Sequence, residues 1–178
     1  MPYTYDYPRP SVTADCIVFR FNQTLEIAEV LLIKRKANPF KNHWAFPGGF
    51  VNVNEDLRDA AERELKEETG LTGVDFKPLF PVGTPDRDPR GHVITCPFVA
   101  TTKSKKELKA RDDAKELKWW NVEKLPKLAF DHKEILKMAI QHTTPTMVSK
   151  MVPAKRGAFY DVKAQRALSK GFLSLFRD

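Results

Sequence analysis

Glu64, Glu67 and Glu68 stand three and four residues apart, a spacing that brings three carboxylates onto one face of a helix. Like charges at that spacing repel, so the cluster asks for cations among its members. Carboxylate and carbonyl oxygens are the ligands of hard divalent ions, and magnesium in particular is shared between a few carboxylates, waters and substrate phosphates. With a carbonyl from Gly49, the expected metal ligands are Gly49, Glu64, Glu67 and Glu68, and the expected ion is Mg2+ or Mn2+. Zinc is not expected: Cys16 and Cys96 are far apart, and His43, His92, His132 and His142 lack close ligand spacing. Beside a phosphate chain, such an ion polarises a phosphoryl oxygen, lowers the pKa of bound water and stabilises the leaving group. The chemistry implied is hydrolysis of a pyrophosphate bond, with Glu67, Glu68 and Glu64 as the catalytic set.

The elements that position this cluster are legible around it. Pro47-Gly48-Gly49 makes a tight turn whose backbone can approach a ligand closely. Asn54 is the expected N-cap, with Glu55 and Asp56 adding negative charge at the positive end of the helix, and Gly70 is the expected C-cap. Leu57, Ala61 and Leu65 form the expected apolar stripe, while Ala60 leaves room on the acidic side. Val12 to Phe21 and Val30 to Ile33 read as buried strands; Phe76 to Val82, His92 to Ala100 and Leu117 to Val122 are further strand candidates. A second helix is expected from Asp131 to about His142, with Ile135, Met138 and Ala139 inward. The fold class is α/β (α+β), one mixed β-sheet sandwiched between helices.

Gly49, Glu55, Arg63, Glu64, Leu65, Glu67, Glu68, Gly70 and Leu71 fill every defined position of the Nudix box, so the chain resembles the Nudix hydrolases over about residues 10 to 142. That resemblance implies the Nudix fold and cleavage of a nucleoside diphosphate linked to another moiety. It assigns Glu55 and Arg63 a structural role, orienting the metal-binding glutamates through ion pairs. The general base stays open between a box glutamate and a later acid, Asp112, Asp113 or Glu116. The segment from Thr84 to Ile94 is similar to a loop of the ADP-ribose pyrophosphatase branch, where Asp-Pro-Arg precedes a strand; this makes Arg90 a candidate substrate residue and ADP-ribose the expected substrate. Arg35 matches a position that in the family often touches the pyrophosphate through its fork. Trp44 and Phe46 alternate before the glycine turn, and Phe46 is carried as a candidate contact for base or ribose. Within the same family, nucleotide sugars or nucleoside triphosphates are alternative substrates, and homodimers are frequent.

Composition sets the outer bounds. A chain of 178 residues with 42% hydrophobic content is long enough for a sizeable core, expected to be a Nudix domain over residues 1–142 with a basic extension over 143–178. There is no run of eighteen apolar residues and no signal-peptide pattern, so no membrane partner and a cytoplasmic protein are expected, with both cysteines in the core. The extension holds seven Lys or Arg against Asp161 and Asp178, +5 of the chain's net +7. A basic tail can meet nucleic acid, yet Ala164, Leu168, Phe172 and Leu175 keep helical spacing. Docking on the domain or on a partner subunit is therefore preferred and nucleic acid is not the expected partner. The rival from another class is an ADP-ribose-sensing transcription regulator, for which about thirty-six residues are too few to supply a winged-helix domain.

Overall fold

The computed structural model describes residues 4–22, 28–103, 108, 110, 114–142 and 157–174. Strand β1 (Ser11–Phe21) is the spine: it runs parallel to β6 (Val93–Thr101) through nine registered pairs. On its other side it pairs antiparallel with β2 (Ala28–Arg35) only from Phe19 to Phe21, and with β4 (Gly48–Phe50) from Thr13 to Asp15. β1 and β2 therefore part along their length, and β4 on β1 and β3 (Trp44–Ala45) on β2 fill the gap. β7 (Ala114–Asn121) covers the far edge of β2, and β5 (Lys77–Pro78) that of β6, completing a mixed seven-stranded sheet.

Alternation along β1 explains the layers. Ala14, Cys16 and Val18 face helix α1 (Leu57–Thr69), packing with Ala60, Ala61, Leu65, Phe76 and Phe98. Ile17 and Phe19 face the opposite way, with Leu32, Val122, Ile135, Leu136 and Ala139 of the layer that carries α2 (His132–His142). Helix α3 (Gly157–Ser174) joins that layer through the buried Ala167 and Leu168, and Gly171 lies so close to β7's end that a Cβ there would stand 2.7 Å from Cβ of Val122. The expected sandwich of a mixed sheet between helices is what is found.

Several local expectations need correction. Asp56, not Asn54, caps α1: its carboxylate accepts the Arg58 N–H at 2.8 Å, while Asn54 has φ 61° and serves as a left-handed turn residue. Ala60 is fully buried against β1 rather than leaving room on the acidic face, and Leu57, 38% exposed, falls off the apolar stripe. The strand expected over 76–82 shrinks to two residues and an isolated bridge at Val82, because Pro78 and Pro81 lack the N–H a ladder needs. Cys16 is buried as expected, but Cys96 is only partly covered. Ala164's side chain and Leu175 lie outside the described residues.

Candidate active site

Where β1 and β2 part, the Pro47-Gly48-Gly49 turn is pressed between β1 and α1. Cys16 N–H donates to the Pro47 carbonyl at 2.8 Å, and Gly48 N–H donates to Glu68 Oε2 at 3.0 Å. Glu64 sits directly on Gly49: a Cβ there would lie 2.6 Å from Cδ of Glu64 and 2.8 Å from its Oε2. Burial pushes the Glu64 carboxyl above its ordinary pKa, and Arg63 opposes that shift. Glycine at 49 is thus what allows a partly buried carboxylate to lie against the backbone of the turn.

Arg63 organises the acidic face. Its guanidinium takes Glu55 through Nε at 2.6 Å and Nη2 at 2.8 Å, Glu64 through Nη1 at 2.7 Å, Glu67 through Nη1 at 3.2 Å, and the Phe50 carbonyl at 3.1 Å. The paired hydrogen bonds from Arg63 hold the Glu55 carboxyl down at about 2, and the same contacts raise Arg63 far above its ordinary value.

A cleft of about 410 Å³ opens over the turn, lined among others by Gly48, Gly49, Glu64 and Glu68 on one side and Arg35 and Arg90 on the other. Arg90 is gripped by the almost fully buried Asp88 (Nε to Oδ1 3.0 Å, Nη2 to Oδ2 2.6 Å), and its cation lies 4.7 Å from the Phe50 ring and 5.4 Å from that of Phe130. Arg35 donates from Nε to the Pro39 carbonyl at 2.9 Å and lies over Phe130 at 4.9 Å; burial and then the nearby Arg90 lower its pKa. Two cations kept close against mutual repulsion on an aromatic wall suit an anion with two negative centres.

The expected residues are not all placed alike. Glu64, Glu68, Gly49, Arg35 and Arg90 meet in the one cleft; Glu67 is half exposed and turned to Arg63. Phe46 is 1% exposed, its ring stacked on His132, and lines a small recess beside Arg35, Gly49 and Arg90; the more accessible ring there is that of Phe50, 42% exposed. Glu116 is ion-paired to Lys34 at 3.0 Å on β7, and Asp112 and Asp113 lie outside the described residues. Among the described residues, no three His, Cys, Asp or Glu side chains come together as a closed metal-ligand group. The donor set at the turn nevertheless fits a hard cation by its chemistry: carboxylate and carbonyl oxygens only, with Glu64 cradled on a glycine that any Cβ would fill.

Sequence reasoning did not single out Asp15 or His132 for the site, and it carried Arg87 and Asp88 only as members of the segment from Thr84 to Ile94. Asp15, on β1 opposite Gly48, accepts the Thr95 hydroxyl at 2.5 Å; an acid inside an otherwise apolar strand was the available signal. Burial lowers the pKa of His132, keeping the ring neutral, and its Nδ1 accepts the Phe46 N–H at 3.1 Å. The Arg87 side chain is almost fully covered, and although burial works against its charge, a two-pronged bond to Asp131 more than offsets it.

A model of the NUDIX domain matches residues 9–139. The chain belongs to the Nudix family. It is a Nudix pyrophosphohydrolase by that match and by its similarity to an ADP-ribose pyrophosphatase of Methanocaldococcus jannaschii, 48% identical over 131 residues, 74% of this chain and 73% of the relative. An ADPR responsive transcriptional repressor of Acinetobacter baylyi is 35% identical over 75% of this chain, which spans only about half, 54%, of that relative's length. Among solved structures, the NUDIX domain of Shewanella oneidensis NrtR complexed with ADP ribose aligns with TM-score 0.71 at 28% identity, covering 79% of this chain and 94% of that one. Nudix hydrolases generally use divalent metal ions, in keeping with the oxygen donors at the turn.

Proposed function

We propose that this Nudix protein hydrolyses ADP-ribose to AMP and ribose 5-phosphate with Mg2+ or Mn2+, acting as a homodimer in the cytoplasm. The observation that carries the substrate reading is the cleft lined jointly by Gly49, Glu64 and Glu68 and by Arg35 and Arg90. The 48% identity to an ADP-ribose pyrophosphatase supports the same substrate. Water attacks one phosphorus, the bond from that phosphorus to the bridging oxygen breaks, and the bridging oxygen leaves with the other phosphate. The forks of Arg35 and Arg90 hold the pyrophosphate, with Asp88 fixing the plane of Arg90. Arg63 aims Glu64 and Glu67, and Glu68 both braces the Gly48 N–H and stands nearest to the role of proton acceptor. A bound divalent ion supplies charge neutralisation of the phosphates and a more acidic water.

The test is a panel of nucleoside diphosphate compounds, nucleotide sugars and nucleoside triphosphates, assayed with either metal. ADP-ribose is expected to give the highest kcat/KM, and Glu68→Gln to lower turnover by orders of magnitude with the fold intact. Preference for another substrate would end the ADP-ribose assignment; an active Glu68→Gln would end that of the site. Similarity to the repressor favours a second reading, a sensor that binds ADP-ribose and controls transcription. It requires a duplex to shift at physiological salt and little turnover of ADP-ribose.

A further inference from the structure

Three successive residues at the start of α2 meet three different elements around the cleft. Phe130 has φ 51°, in the left-handed region, so the chain turns sharply there and the neighbouring side chains diverge. The Phe130 ring underlies Arg35 and Arg90. Asp131 takes both prongs of Arg87, at 2.6 and 2.8 Å. His132 lies flat on the Phe46 ring, centroids 4.7 Å apart and planes within 12°, and accepts the Phe46 N–H.

We propose that Asp131 and His132 are positioning residues with separable tasks: Asp131, through Arg87, sets the loop that carries Arg90 and hence substrate affinity, while His132, through the Phe46 N–H, sets the Gly48-Gly49 turn and hence turnover. The loop's own backbone bonds, Arg87 N–H to Thr84 and Gly91 N–H to Asp88, only close turns within it; the Arg87–Asp131 pair is what joins it to α2. Arg87's side chain is 4% exposed, so losing the carboxylate would leave a buried charge unpaired, and the loop would move to solvate it. Asp88 and Arg90 would travel with it. Phe46, for its part, lies between β3 and β4, outside either ladder, and its N–H finds its acceptor on His132. Without that acceptor a buried N–H is orphaned one residue before Pro47, and the turn that seats Glu64 and Glu68 loses an anchor.

The inference rests on the roles proposed above for Glu68 and Arg90, so the test carries both as controls. Steady-state kinetics on the best substrate of the panel would compare Asp131→Asn, His132→Phe, which keeps a ring on Phe46 but no acceptor, and His132→Asn, whose amide oxygen restores an acceptor near Nδ1. We expect Asp131→Asn to raise KM about tenfold or more with kcat within about threefold, and His132→Phe to do the converse. His132→Asn should recover most of the kcat that His132→Phe loses. Amide hydrogen exchange resolved by peptide should quicken over 84–91 in Asp131→Asn and over 46–49 in His132→Phe, each without the other. If Asp131→Asn does not fold, Arg87→Lys addresses the same loop. Both variants moving the same kinetic parameter, no recovery by His132→Asn, or exchange rising in both segments together would overturn the proposal. Should Glu68→Gln and Arg90→Ala themselves lack their assigned effects, the site assignment is what fails, and the exchange pattern still decides whether the two anchors are independent.

Discussion

Gly49→Ala should separate catalysis from folding more cleanly than loss of any glutamate. The new methyl would lie 2.6 Å from Cδ of Glu64, with Oε1 closer still, and ordinary contact begins near 3.4 Å, so the carboxylate must retreat by at least about 0.8 Å. What moves is the far end of a flexible side chain, so the fold is expected to tolerate the change. Misplacement of a reacting group by about 1 Å costs roughly a hundredfold in rate, equivalent to about 2.7 kcal/mol of barrier. The retreat also draws Glu64 off the 2.7 Å bond to Arg63. Gly48→Ala is the control: its methyl would stand 2.9 Å from the Asp15 Cα and against the Ala14 carbonyl, where backbone has to yield, so stability should fall with activity. Kinetics with saturating metal, run beside thermal melts, reads both effects. If Gly49→Ala keeps activity within about threefold of the parent, or melts as low as Gly48→Ala, the placement of Glu64 on the turn is not what catalysis depends on.

Arg90→Ala should raise KM while leaving kcat nearly unchanged, as loss of a substrate contact does; a fall in kcat alone would count against it. Because the Glu55 carboxyl is held at about 2 against an ordinary 4.5, its stabilisation is fully present above pH 4.5 and is lost as pH falls through about 2. The melting advantage of the parent over Glu55→Gln should therefore shrink across that window, and an advantage constant from pH 6 to pH 2 would refute the pairing. Leu168→Ala, at a fully buried position of α3, should cost about 2–5 kcal/mol in denaturant unfolding without altering KM; a negligible cost would mean that α3 contributes nothing to the core.

The part of the candidate site that was legible in the sequence is the part built within one helix and the turn before it. Glu64, Glu67 and Glu68 are neighbours by helical period, and Arg63 meets Glu67 across one turn and Glu55 eight residues back, so local spacing contains the geometry. The same holds for β1, whose alternation of Ala14, Cys16 and Val18 against Ile17 and Phe19 prefigures a sheet covered on both faces. Contacts that bridge long separations left no local trace. Arg87 finds Asp131 44 residues away and Phe46 finds His132 86 residues away, each pair set by how β3, the 84–91 loop and α2 converge. Alternation before the glycine turn likewise left Phe46 a candidate for the cleft; β3 is only two residues long, and the chain beyond it buries Phe46 and presents Phe50.

Like charges on one face of a helix were expected to wait for a cation, yet the chain carries its own counter-ion. Arg63 spends every nitrogen of its fork on the acidic face or the adjacent backbone, so Glu55, Glu64 and Glu67 are each hydrogen-bonded in the protein alone, although one positive charge offsets only part of their three negative ones. Glu68 is anchored from the other side, accepting the Gly48 N–H at 3.0 Å. A fixed planar cation orients carboxylates that mutual repulsion would otherwise scatter, and it leaves their remaining lone pairs directed elsewhere. Lysine could neutralise one of these acids but could not hold Glu55 through two parallel bonds while reaching Glu64 with a third donor. The requirement for arginine at position 63 is therefore geometric before it is electrostatic, and orientation of the acidic face does not have to be supplied by the ion that uses it.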